Sequence, residues 1–253
     1  GGRFYTTYVS RKLDAGLYLN INQYDGRHYG EVIWAQQGVP DHYRWYNLDA
    51  QKSDVNVYAM TDYRFGQGFS LLTDLQYRRV RYTLNGFRNN PGIRHDLYYP
   101  FFNPKMRLSY QRNAHQVSLT AGLAQKEPNR DDIEAGKAFL PKAEKLYNGE
   151  LSYRFIPGKT LALYANAFLM YYRDQLVLTG HINDVGAYTR TNIPESYRLG
   201  LELEGIWKPA SRLLELSAKI SLSSNKITAF TEYIDDYDQG GQVQNRYTET
   251  DIS

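Results

Sequence analysis

Cysteine is absent from the chain, which excludes disulfides, thiolate-bound metals and cysteine nucleophiles at once. No stretch approaches 18 consecutive apolar residues, so a helix crossing a bilayer is excluded as well. Neither sign of charge dominates: 30 Lys and Arg stand against 27 Asp and Glu, interspersed without a basic stripe, which argues against nucleic acid as a partner. The sequence has no phosphate loop, dinucleotide fingerprint, G-x-S-x-G elbow or H-E-x-x-H pair. Enzymatic chemistry therefore has no residues to stand on, and no cofactor is expected. The five histidines, His28, His42, His95, His115 and His181, fall without metal-ligand spacing, and no metal site is expected. Acidic pairs and runs at Asp131-Asp132 and Asp235-Asp236-Tyr237-Asp238 are of the oxygen-rich kind that calcium takes. Without the spacing of a calcium loop, solvated charge is the simpler reading. No signal peptide or starting methionine precedes Gly1, so an exported protein would have its first part upstream.

What the chain does contain is alternation. Tyr147, Leu151, Tyr153 and Phe155 fall on one face of a strand, with Asn148, Glu150, Ser152 and Arg154 on the other. Turn chemistry at Ile156 to Lys159 follows, and alternation resumes through Leu161, Leu163, Ala165, Ala167, Leu169 and Tyr171. After a polar excursion it returns in Tyr197, Leu199, Leu201, Leu203 and Trp207, opposed by Arg198, Glu202 and Glu204. The same grammar recurs at 15–22, 55–65, 69–77, 106–110, 117–123 and 214–222, with tight turns near 67, 113, 157 and 210. Between them lie long unpatterned segments at 24–53, 83–99, 126–145, 175–196 and 232–253, which are expected to be loops.

Strands of this length exceed the five or six residues usual in soluble sheets and match the nine to eleven needed to cross hydrocarbon at a tilt. Short turns at one end and long connections at the other are the habit of outer-membrane barrels, whose strands alternate apolar-out and polar-in. A mean hydropathy of -0.61 fits such a barrel, because only half of each strand meets lipid. The 24 tyrosines suit the interface belts, where an aromatic body meets a wet hydroxyl. The expected fold is all-β: an antiparallel up-and-down transmembrane β-barrel, here partial, with about ten strands. Leu161, Leu163, Leu169, Leu199, Leu201 and Leu203 should face lipid, and Arg198, Glu202 and Glu204 the lumen. Trp34, His42, Tyr43, Trp45 and Tyr46 form the densest aromatic segment. They are candidates for stacking on a ligand at the barrel mouth, with packing of the loop against its neighbours as the competing reading.

Two motifs carry a family resemblance. Glu127-Pro128-Asn129-Arg130-Asp131-Asp132 resembles the P-x-R-x-D/E loop of TonB-dependent outer-membrane receptors. The stretch from Pro141 to Tyr153 is similar to the segment leading from that loop into a strand, and Asn192 with Tyr197 to Glu204 resembles the N-x-G-x-x-x-x-G-V-E-L-E strand. The likeness covers about 80 residues and is greatest to receptors of Bacteroidota type. It implies an internal portion, 1–253, of a larger barrel, with the plug domain and terminal strands outside this chain. It implies an outer-membrane active transport receptor for a scarce nutrient, such as an iron-siderophore complex, driven through TonB. The partners it implies are the TonB complex by way of the plug, outer-membrane lipid, the small-molecule nutrient, and a surface lipoprotein or other outer-membrane protein. A structural or interaction component of a larger outer-membrane complex is the alternative, and a soluble β-rich binding protein the third.

Overall fold

The computed structural model describes residues 1–88, 90–136, 140–182, 188–209, 214–238 and 240–251. Eleven strands form one antiparallel sheet in chain order: β1 (Gly2–Val9), β2 (Leu13–Val32), β3 (Tyr43–Phe65), β4 (Phe69–Asn85), β5 (Arg94–Arg112), β6 (His115–Lys126), β7 (Glu144–Phe155), β8 (Leu161–Ile182), β9 (Tyr188–Trp207), β10 (Leu216–Asp236) and β11 (Gly241–Asp251). One short helix, α1 (Arg130–Gly136), lies between β6 and β7. Among the described residues no helix is long and apolar enough to cross a membrane.

The register aligns like with like across the sheet. Leu13, Tyr63, Leu71, Leu108, Leu119, Leu151, Ala167, Leu201 and Leu222 are successive partners from β2 to β10, a single apolar row. One residue along, the partners are Arg64, Ser70, Ser109, Ser118, Ser152, Asn166, Glu202 and Ser221, a wholly polar row on the opposite face. Hydrogen bonds knit that row sideways, Ser109 to Ser118 at 2.9 Å and Ser152 to Asn166 at 2.9 Å. A slip of one residue in any strand would exchange the two faces, so the pattern fixes register strongly. Leu163, Leu169, Leu199, Leu201 and Leu203 are exposed on the apolar face, as alternation requires. Aromatic rings rim this face near the short turns, with Tyr63, Phe65, Phe69 and Tyr110 in a chain of contacts 4.6 to 5.7 Å apart.

Those turns are tight and cross-braced. Gly66 and Gly68 take φ of 59° and 93°, and a Cβ on Gly68 would fall 2.1 Å from the Gln111 carbonyl oxygen. That close approach lets the Gln111 N–H donate to the Gly68 carbonyl at 2.8 Å, tying the β3–β4 turn to β5. The two-residue turn after Arg112 uses Asn113 at φ 52°, a residue tolerant of left-handed backbone. Of the turn expected near 210, residues 210–213 lie outside the described residues.

At the other end the expectation of long loops is corrected. β2 and β3 continue to Val32 and from Tyr43, β8 and β9 to Ile182 and from Tyr188, and β10 turns directly into an eleventh strand where 232–253 was expected to be loop. Strand count therefore rises from about ten to eleven. In these extensions outward positions turn polar, as at Arg79 and Arg81, and parts of the inward face are buried, as at Ala50, Val80 and Leu84, so the alternation that marks the lower strands no longer does. The segment 126–145 holds α1, also unforeseen.

Candidate functional site

Two regions above the apolar belt carry chemistry: the β2–β3 hairpin tip and the segment around α1.

At the tip, pairing slips between Gly30 and Glu31, so that Gly30 faces Tyr46, Glu31 faces Arg44 and Trp45 is the extra residue of a bulge. Trp45 and Tyr46 then crowd over Gly30 with ring centroids 4.5 Å apart at 77°. Any Cβ at position 30 would lie 2.3 Å from the Tyr46 ring and 2.4 Å from Trp45 Nε1. The Arg88 guanidinium, from the next hairpin, sits 5.1 Å over the Trp45 ring, and Arg44 4.4 Å over Tyr29. Glu31 gathers the cationic groups: His42 Nδ1 contacts its carboxylate and Arg44 Nε lies 3.6 Å away. The hydrogen bond from His42 holds the Glu31 carboxyl below its ordinary range. His42 itself is in left-handed backbone at φ 61°. Trp34 is 75% exposed and Tyr43 half exposed, and among the described residues neither enters a ring pair. The structure thus brings Trp45 and Tyr46 together and His42 onto Glu31, and leaves Trp34 and Tyr43 presented to solvent.

The second region is built on the motif at 127–132. Asn129 and Asp132 cap α1 reciprocally: the Asp132 N–H donates to Asn129 Oδ1 at 2.8 Å and the Asn129 N–H to Asp132 Oδ2 at 2.9 Å. Pro128 ahead of the cap and Ile133 inside the helix are fully buried. Ile133 packs into the cluster of Ala50, Val80, Tyr82, Leu84, Phe87 and Phe101, on the polar-row face of β3 to β5. Burying one such side chain stabilises by roughly 1.5–3 kcal/mol. Beside it Glu127, almost wholly buried, accepts from Arg78 Nη1 at 2.8 Å and Nη2 at 2.9 Å and from Lys52 Nζ at 3.0 Å. Arg78 also forks onto Asp54 at 2.7 to 3.1 Å. Burial pushes the Glu127 carboxyl up, but hydrogen bonds from Arg78 and Lys52 outweigh it, and the group stays below the ordinary carboxylate range.

Asp132 reaches the other way, to Arg190 Nη1 of β9 at 3.3 Å. β4 and β9 stand five strand spacings apart in the sheet, roughly 24 Å along its surface. A single helical turn can touch both only where the sheet curls around it. The segment 127–136 is therefore a strap across the concave, polar side. Arg130 completes it, donating to the Gly86 carbonyl at 3.4 Å and lying 5.2 Å from the Phe87 ring centroid.

Sequence reasoning missed Glu127, Arg78, Lys52 and Asp54 as a group, since nothing local links 52, 78 and 127. The capping pair was missed as well, although an Asn followed three residues on by Asp is a local signal that could have found it. Asp132, weighed as calcium-type charge, is committed to the cap and to Arg190. Among the described residues no group of three His, Cys, Asp or Glu could hold a metal ion. Four inward acceptors, Asp14 Oδ1, Asn56 Oδ1, Asp74 Oδ1 and Asn148 Oδ1, are buried with no hydrogen-bond partner among the described residues.

Comparison with known proteins agrees with this geometry. The family described as TonB dependent receptor-like, beta-barrel, matches residues 1–251. Among solved structures, the chain is similar to the FrpB iron transporter of Neisseria meningitidis, at 16% identity and TM-score 0.64, covering 89% of this chain and 35% of that one. A copper transporter, OprC, aligns at 13% identity and TM-score 0.73, over 89% and 37%. The ferric-catecholate import receptor Fiu of E. coli aligns at 13% and 0.62, over 91% and 38%. The chain thus spans little more than a third of the length of the structures it resembles. No curated protein matches it by sequence.

Proposed function

The chain belongs to the TonB-dependent receptor-like β-barrel family, and from that premise we propose that it supplies eleven strands to the wall of a receptor that imports a scarce nutrient. Proteins of this family reside in the outer membrane of Gram-negative bacteria. The apolar row faces lipid, the polar row faces a lumen filled by a plug domain encoded elsewhere in the protein, and the long hairpins project outside the cell. The register carries this reading, since from β2 to β10 one face of the sheet presents an unbroken apolar row suited to hydrocarbon and the other a polar row suited to a wet, hydrogen-bonding lumen.

The cargo we propose is a chelated metal such as an iron-siderophore complex, met first by the aromatic tip at Trp34, His42, Tyr43, Trp45 and Tyr46. Support comes from the exposure of Trp34 and Tyr43 on the hairpin tip that also carries Arg44 over Tyr29 and Arg88 over Trp45, aromatic and cationic groups of the kind that take planar, anionic chelates. The wall does no chemistry; energy reaches the plug through TonB. The test uses the full-length receptor in cells, following uptake of a labelled ferric siderophore. Uptake should stop when the inner-membrane proton gradient is collapsed, and should fall when Trp34 and Tyr43 are replaced by Ala. Uptake indifferent to the gradient would contradict the proposal.

A further inference from the structure

The outward face above the lipid belt is not apolar. Counting along β4, the outward positions run Leu75, Tyr77, Arg79, Arg81 and Thr83, so the sequence passes from belt to aromatic rim to two arginines. Register sets Ser53 and Tyr98 on either side of Arg81, and Gln51 and Asp96 on either side of Thr83. These side chains line an open concavity of about 700 Å³. Every one of them except Asp96 can donate a hydrogen bond. Asp96 is already held, accepting from Arg81 Nε at 2.8 Å and Nη2 at 2.6 Å, which fixes the Arg81 fork and leaves its remaining N–H groups directed elsewhere. Arg79 makes no ion pair among the described residues, and it is exposed. A donor-lined hollow with one committed acid and one uncommitted arginine is built for an anion.

Depth identifies the anion's source. Arg79 and Arg81 follow Tyr77 by two and four residues, which at about 3.3 Å per residue and a tilt near 40° raises them roughly 5 and 10 Å beyond the rim. The headgroup layer occupies about 5–8 Å outside the hydrocarbon on each side, so the Arg79 backbone lies within it and that of Arg81 just beyond, within reach of a long side chain. The hollow also opens sideways from the barrel, on the face where Val57, Leu75 and Phe102 meet acyl chains, and away from the lumen through which cargo passes. We propose that this hollow binds the phosphorylated headgroup of an outer-leaflet lipid, with Arg79 and Arg81 on the phosphate and Gln51, Ser53 and Tyr98 on neighbouring oxygens. The assignment to the outer leaflet rests on the proposed orientation of the long hairpins.

The experiment purifies the full-length receptor, wild type and Arg79→Ala, Arg79→Lys and Thr83→Ala variants, in nanodiscs holding a phosphorylated outer-leaflet glycolipid or its enzymatically dephosphorylated form. Bound lipid is counted by native mass spectrometry, and folding is checked by heat-modifiable gel mobility. Wild type should retain the phosphorylated lipid about tenfold better than the dephosphorylated one. Arg79→Ala should abolish that preference, and Arg79→Lys, which keeps the charge, should restore part of it in an equally folded protein. Equal retention of the two lipids by wild type would overturn the proposal, as would an unchanged preference in Arg79→Ala. Displacement of the lipid by millimolar inorganic phosphate would also overturn it, showing a general anion site in place of a lipid site. Orientation is checked separately, by labelling a cysteine placed at Gly38 with an impermeant reagent on intact cells. Labelling without lipid preference defeats the lipid site alone, whereas absence of labelling defeats the orientation.

Discussion

The two halves of β4 follow different rules. From Phe69 to Tyr77 the outward residues are apolar or aromatic apart from Thr73, and the inward ones are mostly polar, because one side meets lipid and the other water. From Arg78 to Asn85 the sense reverses: Val80, Tyr82 and Leu84 point inward and are buried under α1, while Arg79, Arg81 and Thr83 point outward. The same ladder of backbone hydrogen bonds runs through both halves. What changes is the solvent on each face. The lower half is held by its match to the bilayer, and the upper half by a strap of protein chain that substitutes for a missing core.

The difference can be broken from either side. The largest effect is expected in the lower half: Leu201→Arg sets a charge in lipid at a cost of about 2–4 kcal/mol and should impair assembly. Glu202→Arg, on the polar face, should be tolerated far better. Folding yields in detergent micelles compare them, and equal losses would mean that the faces are reversed. In the upper half, Ile133→Ala should cost about 2–3 kcal/mol through the cavity it leaves. Glu127→Ala should cost about 2 kcal/mol, less than a fully orphaned buried ion, since Arg78 retains Asp54. Both should raise hydrogen exchange in 78–85 and 127–136 while leaving the belt segments of β7 to β9 protected. Uniform loss of protection would show that strap and belt are one cooperative unit.

Acid should loosen the strap without touching the belt. The Glu127 carboxyl lies lower in the folded chain than its unfolded value near 4.3, so its stabilisation is complete above that value and is lost as pH falls through the folded one. Resistance of 127–136 to an acid-active protease should hold from pH 7 to pH 5 and decline only below about pH 4. A decline beginning near pH 6 would implicate a histidine in its place. Smallest is the change expected at the hairpin tip, where Trp45→Ala removes an edge-on ring pair worth about 1 kcal/mol. Melting of the whole protein should be unaltered, and proteolysis at 33–42 should accelerate.

Legibility in the sequence follows the same division. The lower halves of the strands were readable because lipid and water impose a period of two, and residues 147–155, 161–171 and 197–207 announce themselves. The upper halves of β2, β3, β8 and β9 were not, since the apolar-out, polar-in rule lapses there, and β11 disappeared into an expected loop for that reason. The strap was read only as a loop with a family motif. Asn129 and Asp132 carry a local capping signal, whereas the pairing of Glu127 with Lys52 and Arg78 joins positions 75 and 49 residues apart that only the folded sheet brings together. At the tip, the aromatic cluster was visible by density alone, but the bulge that stacks Trp45 and Tyr46 on Gly30 depends on a register shift with no mark in the sequence.

Single-cysteine spin labels along β4, one position at a time from 71 to 84 in the full-length receptor freed of any other cysteine, test the division most directly. Accessibility is read against oxygen, which partitions into lipid, and against a water-soluble nickel chelate. Oxygen should peak at 71, 73, 75 and 77, the chelate should take over at 79, 81 and 83, and 80, 82 and 84 should be shielded from both by α1. Oxygen peaks continuing through 83, or free access of the chelate to 80 and 82, would contradict a strand that leaves the membrane at Tyr77 with its inner face under the strap.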